Sequence, residues 1–104
     1  MNPTILRIST IALLTFLGQA QAAGDITRGK EKAKSCQTCH NADGQGIGTM
    51  PSLAGAKEED LAQALRDYRA EKRTNLIMKG EASTLSDDDI ANIAAYYASL
   101  PKQN

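Results

Sequence analysis

The pentapeptide Cys36-Gln37-Thr38-Cys39-His40 restricts this 104-residue chain more than any other stretch of it. Two thiols three positions apart, at the end of a helical segment, can reach the two vinyl groups along one edge of a haem and add across them as thioethers. A histidine directly after the second thiol lies under the same ring and can bind the iron as proximal ligand. These are the only cysteines and the only histidine present. A zinc site wants four ligands from Cys and His, so an intramolecular one fails on count. A thioredoxin-like redox pair needs alternating strands and helices, which the pattern lacks. A structural disulfide would suit an oxidising compartment but leaves His40 without a role. The expectation is one haem c, covalent through Cys36 and Cys39, with His40 on its iron.

The start of the chain agrees with this chemistry, which is carried out after export. Arg7 supplies a positive charge, residues 8–18 form a mostly apolar run, and Ala20-Gln21-Ala22 offers a small-x-small cleavage site. That order reads as a secretory signal peptide over residues 1–22. The apolar run is too short for a bilayer core that needs roughly 20 residues. The expected mature domain, residues 23–104, would be periplasmic and without stable membrane insertion. It contains no Trp and no Phe; its aromatics are Tyr68, Tyr96 and Tyr97. So small a domain buries a limited core and usually needs a cofactor, metal or disulfide to hold it. A porphyrin would fill its centre. The charges balance, at 12 basic and 12 acidic side chains, and no polybasic block is present. Nucleic-acid binding is therefore not expected.

The periodicity predicts an all-α domain with three main helices around the haem. The first spans residues 26–35, capped by Asp25 or Thr27. Gly44, Gly46, Gly48, Pro51 and Gly55 then mark an ordered loop over residues 41–55. The second helix covers about 58–70, with Leu61, Leu65 and Tyr68 on one face and Glu58, Glu59 and Asp60 at its positive end. A second loop is expected over residues 71–85. Ser86 and Asp89 suggest a capping box for the third helix, whose buried stripe is Ile90, Ile93, Ala94 and Tyr97, with Pro101 ending it.

A sixth iron ligand must come from something other than histidine. The candidates in the mature part are Met50, in the first loop beside Pro51, and Met78, in the second loop beyond a whole helix. The later loop has the length to wrap to the opposite haem face, so Met78 is favoured. Met50 would pack on the proximal side or sit exposed. A lone Met near a helix is also an ordinary packing residue. A cavity between His40 and Met78 is expected in the bare polypeptide.

The ordered set Gly29-Lys30, Cys36-Gln37-Thr38-Cys39-His40, Asp43-Gly44, Pro51-Ser52-Leu53-Ala54-Gly55, Arg73-Thr74-Asn75-Leu76-Ile77-Met78 and Leu85-Ser86-Asp87 through Ala95-Tyr96-Tyr97 resembles the short bacterial class I cytochromes c. The likeness runs from about Gly24 to Leu100, and is greatest to short monohaem and dihaem cytochromes of proteobacteria. The stretch ending Ile77-Met78 is also similar to the cytochrome subunit of flavocytochrome c sulfide dehydrogenase. The resemblance implies the small cytochrome c fold, Met78 as distal ligand, and the Pro51 carbonyl as acceptor from the second nitrogen of His40. It further implies Gly29 at the crossing of the first and last helices, with Tyr96 or Tyr97 opposite, and Asn75 near the Met ligand. Asn41 departs from the family pattern, which often has Gly after the His. Ala56 departs where many relatives have Gln.

Such a site implies a non-enzymatic carrier that passes one electron through the haem edge by Cys36 and Cys39, as in respiratory chains. The partners would be redox proteins, a flavoprotein among them if the chain is a sulfide dehydrogenase subunit. A haem enzyme or gas sensor with an open sixth position is a third reading. Lys30, Lys32, Lys34, Lys72, Arg73 and Lys79 suggest a weakly basic ring around the haem edge. Asp87, Asp88 and Asp89 suggest an acidic patch elsewhere.

Overall fold

A computed structural model describes residues 24–102. The signal peptide expected over residues 1–22 lies outside them. Five α-helices occur in the described residues: α1 Ile26–Lys32, α2 Lys34–His40, α3 Glu58–Arg69, α4 Leu76–Ser83 and α5 Asp87–Ser99. No extended strand is present among them, only an isolated bridge between Ile47 and Met50. The expected all-α class is what the chain adopts.

The first helix departs from expectation at its end. Asp25, and not Thr27, caps α1, its carboxylate accepting from the Arg28 N–H at 3.0 Å. The helix breaks for one residue at Ala33, which is fully buried, and continues as α2 through the whole Cys36 to His40 motif. No Gly or Pro stands between Gly29 and Asn41, so nothing in the covalent chain stops it earlier. Asn41 does stop it, at φ 69°.

The second loop was expected to be irregular, yet it contains α4. Asn75 starts that helix by accepting from the Met78 N–H at 3.0 Å. The pattern hid it for a physical reason. Leu76 and Ile77 are exposed, at 86 and 63%, and Gly80 sits inside. Only Ala82 of α4 is buried, and one small residue makes no apolar stripe.

Helix α5 organises the rest. Ser86 and Asp89 form the expected capping box, with both reciprocal bonds at 3.0 Å. Its apolar side divides into two faces. Ile90 and Ala94 pack with Ala62 of α3, while Ile93 and Tyr97 join Ala33 and Tyr96 in a second cluster. Helix α1 crosses α5 at Gly29, where a Cβ would lie 1.9 Å from the Asn92 carbonyl oxygen and 2.9 Å from Cβ of Tyr96. Tyr96 is therefore the aromatic opposite Gly29, and Tyr97 is left for another task. Arg69 ties α3 to the start of α5, donating to the Leu85 carbonyl at 3.1 Å and to Asp87 at 2.6 Å.

The loop between α2 and α3 is fastened at several points. The Gly46 N–H donates to the His40 carbonyl at 2.9 Å, and the N–H groups of Leu53 and Ala54 both donate to the Gly44 carbonyl. The Gly55 N–H donates to the Tyr97 carbonyl at 2.9 Å. These bonds hold Met50, Pro51 and Leu53 against the end of α2 and the last turn of α5.

Candidate functional site

His40 closes α2 and is 5% exposed. Its Nδ1 lies 2.8 Å from the Pro51 carbonyl oxygen. A carbonyl only accepts, so Nδ1 carries the proton and donates it. That fixes the tautomer and leaves Nε2 with a free lone pair, the form of imidazole that binds a metal.

Cys36, Cys39, His40 and Met78 all line one cavity of about 360 Å³. Its apolar walls come from Leu53, Leu61, Leu65, Ile77, Ile93 and Tyr97. The face Leu61, Leu65 and Tyr68, read from the spacing of α3, thus meets the cavity, while Ala62, with Leu61 and Leu65 beside it, packs α3 on α5. Met50 reaches the same cavity but is 38% exposed. It is covalently next to Pro51 and so sits with the His40 side of the site. Met78 comes from a separate wall, on α4, where Asn75 caps its amide.

Cys36 and Cys39 are both free thiols, half-buried at the cavity. Burial pushes the Cys36 thiol above its ordinary value, with the Glu81 carboxylate adding to the shift. The uncharged S–H form is thus favoured inside the apolar wall. The Tyr97 phenol is also held well above its usual range, first by burial and then by Cys36 and Tyr96. Its oxygen is the one buried side-chain polar atom without a hydrogen-bond partner among the described residues.

Several cavity residues were not singled out from sequence. Tyr97 and Ile93 read as plain core because an aromatic or aliphatic residue at helical spacing usually is. Glu81 follows Met78 by three positions, so the hidden helix was the signal that would have placed it at the cavity. Arg73 reaches the lining and stacks its guanidinium 4.9 Å above the Tyr68 ring.

A larger depression, about 720 Å³, lies between Gly24, α3 and the start of α5. Its walls are Glu58, Glu59, Arg66, Arg69, Asp87 and Asp88, without Cys, His or Met. Size therefore does not pick the site; chemistry does. Among the described residues no group of three His, Cys, Asp or Glu could hold a metal ion. The smaller cavity suits a haem instead. It has two thiols for covalent attachment, a tautomerically fixed imidazole, a thioether sulfur, apolar walls and one donor with no protein acceptor.

The family model for Cytochrome c matches residues 26–101. The chain belongs to the cytochrome c family. Cytochrome c4 of Pseudomonas aeruginosa is 44% identical over 95 residues, covering 90% of this chain and 47% of that protein. Cytochrome c-554(548) of Halomonas halodenitrificans is 41% identical over 81 residues, covering 74% of this chain and 98% of that protein. The cytochrome subunit of sulfide dehydrogenase of Chlorobaculum tepidum is 33% identical over 78 residues, covering 75% and 71%. The crystal structure of reduced cytochrome c4 from Pseudomonas stutzeri superimposes with a TM-score of 0.70 at 28% identity, over 73% of this chain and 48% of that one. The chain thus spans about half the length of its cytochrome c4 relatives. A cytochrome c domain carries covalent haem c, and the Cys36, Cys39 and His40 spacing is the one such a cofactor needs.

The basic and acidic groups expected to form a ring and a patch are in part paired with other charges. Lys32 pairs with Asp89, Lys34 with Glu31 and Lys79 with Glu71. Asp87 holds Arg69, and Asp89 is in the capping box. Much of the expected basic ring and acidic patch therefore serves the fold. No helix among the described residues is long and apolar enough to cross a membrane.

Proposed function

We propose that this chain is a one-electron carrier of the cytochrome c4 kind. Cys36 and Cys39 would hold the haem as thioethers, and His40 Nε2 and Met78 Sδ would bind its iron. The observation that carries the reading is the 2.8 Å bond from His40 Nδ1 to the Pro51 carbonyl, in an apolar cavity shared with both thiols and Met78. Bound there, the haem supplies a ferric–ferrous couple. His40 is turned and made more basic by Pro51. The soft sulfur of Met78 favours the ferrous state, as does an apolar wall that disfavours extra positive charge. With His40 and Met78 both on the iron, no coordination site would be left for a substrate, so the chain would relay electrons rather than act as an enzyme. The signal peptide over residues 1–22 delivers residues 23–104 to the periplasm, where redox proteins are the donor and acceptor.

The test is the sulfur-to-iron absorption band of ferric His/Met haem in the near infrared. Wild type and Met50→Ala should show it. Met78→Ala should lose it and bind carbon monoxide readily. A band that survives in Met78→Ala but not in Met50→Ala would reverse the ligand assignment. Its absence from wild type would favour a haem enzyme or gas sensor. An intact mass matching a chain that starts at Ala23, plus one haem, tests both export and attachment.

The relative that is a sulfide dehydrogenase subunit supports a second reading, a cytochrome subunit taking electrons from a flavoprotein partner. Gel filtration of native extract separates the two, since a free carrier elutes near the mass of one small domain.

A further inference from the structure

Tyr97 carries a buried donor that neither the packing nor the proposed ligands use. The residue is 1% exposed, and among the described residues its hydroxyl meets no group in full hydrogen-bond geometry. Its ring cannot easily turn away. Gly44, at φ 72°, lies against one side so closely that a Cβ there would be 3.0 Å from the ring. Tyr96 packs at a centroid distance of 5.1 Å. The Tyr97 carbonyl is held by the N–H groups of Gly55 and Leu100. The side chain lines the cavity of Cys36, Cys39, His40 and Met78. Cys36 packs on the cluster that contains it, and hydroxyl and thiol act on one another as hydrogen-bonding neighbours although their contact falls short of full hydrogen-bond geometry.

A Phe would fill the same space without stranding a donor, and an unmade buried hydrogen bond is costly. The free Cys36 thiol is a poor answer, because it has its own proton to place. Conversion to a thioether changes this. The S–H hydrogen moves to the vinyl carbon that does not take the sulfur, and the sulfur keeps lone pairs and no proton. It can then only accept.

We propose that Tyr97 is a positioning residue for the attached cofactor, its hydroxyl donating to the thioether sulfur of Cys36. This rests on the haem attachment argued above. The hydroxyl pins the sulfur nearest the haem edge and places the positive end of an O–H dipole beside the redox centre. Ferric haem carries the extra positive charge, so this dipole favours the reduced state.

The experiment uses holoprotein of wild type and Tyr97→Phe. Covalent haem and the near-infrared band should persist in both; their absence from wild type would count against the attachment or ligand assignment and not against this role. At a fixed ambient potential the reduced-to-oxidised ratio of Tyr97→Phe should fall roughly two- to threefold, the low end of what one neutral hydrogen bond contributes. The resonance Raman band of the Cys36 carbon–sulfur bond should shift in D₂O for wild type and stay fixed for Tyr97→Phe. The D₂O measurement needs no variant, so it stands even if the substitution disturbs folding. A wild-type carbon–sulfur band indifferent to D₂O, or an unchanged or raised ratio in Tyr97→Phe, overturns the proposal.

Discussion

Asn41 is the residue that turns the chain out of α2 directly after His40, and it does so at φ 69°, a region where side chains other than Gly are strained. Its carboxamide recovers part of the cost by accepting from the Ala42 N–H at 2.9 Å. A Gly here would adopt this backbone without strain. Asn41→Gly should raise holoprotein stability by about 0.5–1 kcal/mol, the strain relieved exceeding the entropy added to the unfolded chain. A lower denaturant midpoint would show that the Asn41 cap outweighs the strain. Gly29 has the opposite constraint. A methyl group there meets the Asn92 carbonyl, which is backbone and cannot rotate aside. Gly29→Ala gains helix propensity but should still cost about 2–3 kcal/mol by forcing α1 off α5. An unchanged midpoint would mean that the two helices slide at no cost. At this scale much of the site was legible, because covalent attachment demands one spacing and so names Cys36, Cys39 and His40 outright. The orphan hydroxyl of Tyr97 was not legible. The same spacing that marks it as buried gives no sign of which buried residues face a cofactor.

Helix α5 was legible almost to the residue, since Ser86, Asp89 and Pro101 are local signals that act whatever the tertiary fold does. The break at Ala33 and the whole of α4 were not. Both depend on what lies against them, α5 for Ala33 and the haem cavity for Ile77 and Met78. The α5 cap also sets a pH dependence. The Asp89 carboxyl is held below the usual aspartate range, first by the Ser86 amide, with the Ser86 hydroxyl and Lys32 adding to it. Its folded value is therefore depressed relative to the unfolded chain. The stability it gives is fully present above the unfolded value and is lost as pH falls through the folded one. Asp89→Asn should accordingly destabilise the holoprotein at neutral pH by about 0.3–1 kcal/mol, the usual worth of a negative charge in the first turn of a helix. The gap between variant and wild type should close as pH drops from the ordinary aspartate range through the lower Asp89 value. A gap constant with pH in urea titrations would mean that the cap acts by shape and not by charge.

On the scale of the whole molecule, the protein's own core is thin. Among the described residues, six of the ten buried apolar ones are alanines, and the largest fully buried side chains are Tyr97 and Ile90. Leu53, Leu61, Leu65 and Ile93 pack on this core and at the same time border the cavity. Alanines bury little area each, and a fully buried larger side chain contributes about 1.5–3 kcal/mol. Chain entropy opposes folding by about 1–2 kcal/mol for every ordered residue. The described helices therefore depend on whatever fills the cavity, and a ligand that binds only the folded chain adds its binding energy to stability. Cys36→Ala/Cys39→Ala protein, made without haem, should lose its cooperative thermal transition and much of its helical circular dichroism. Helices α3 and α4 should go first, because they reach α5 partly across the cavity. Helices α1 and α5, locked at Gly29, should keep the most amide-exchange protection. A haem-free variant that unfolds as sharply as holoprotein would show that the alanine core suffices and that the haem is cargo, not part of the scaffold.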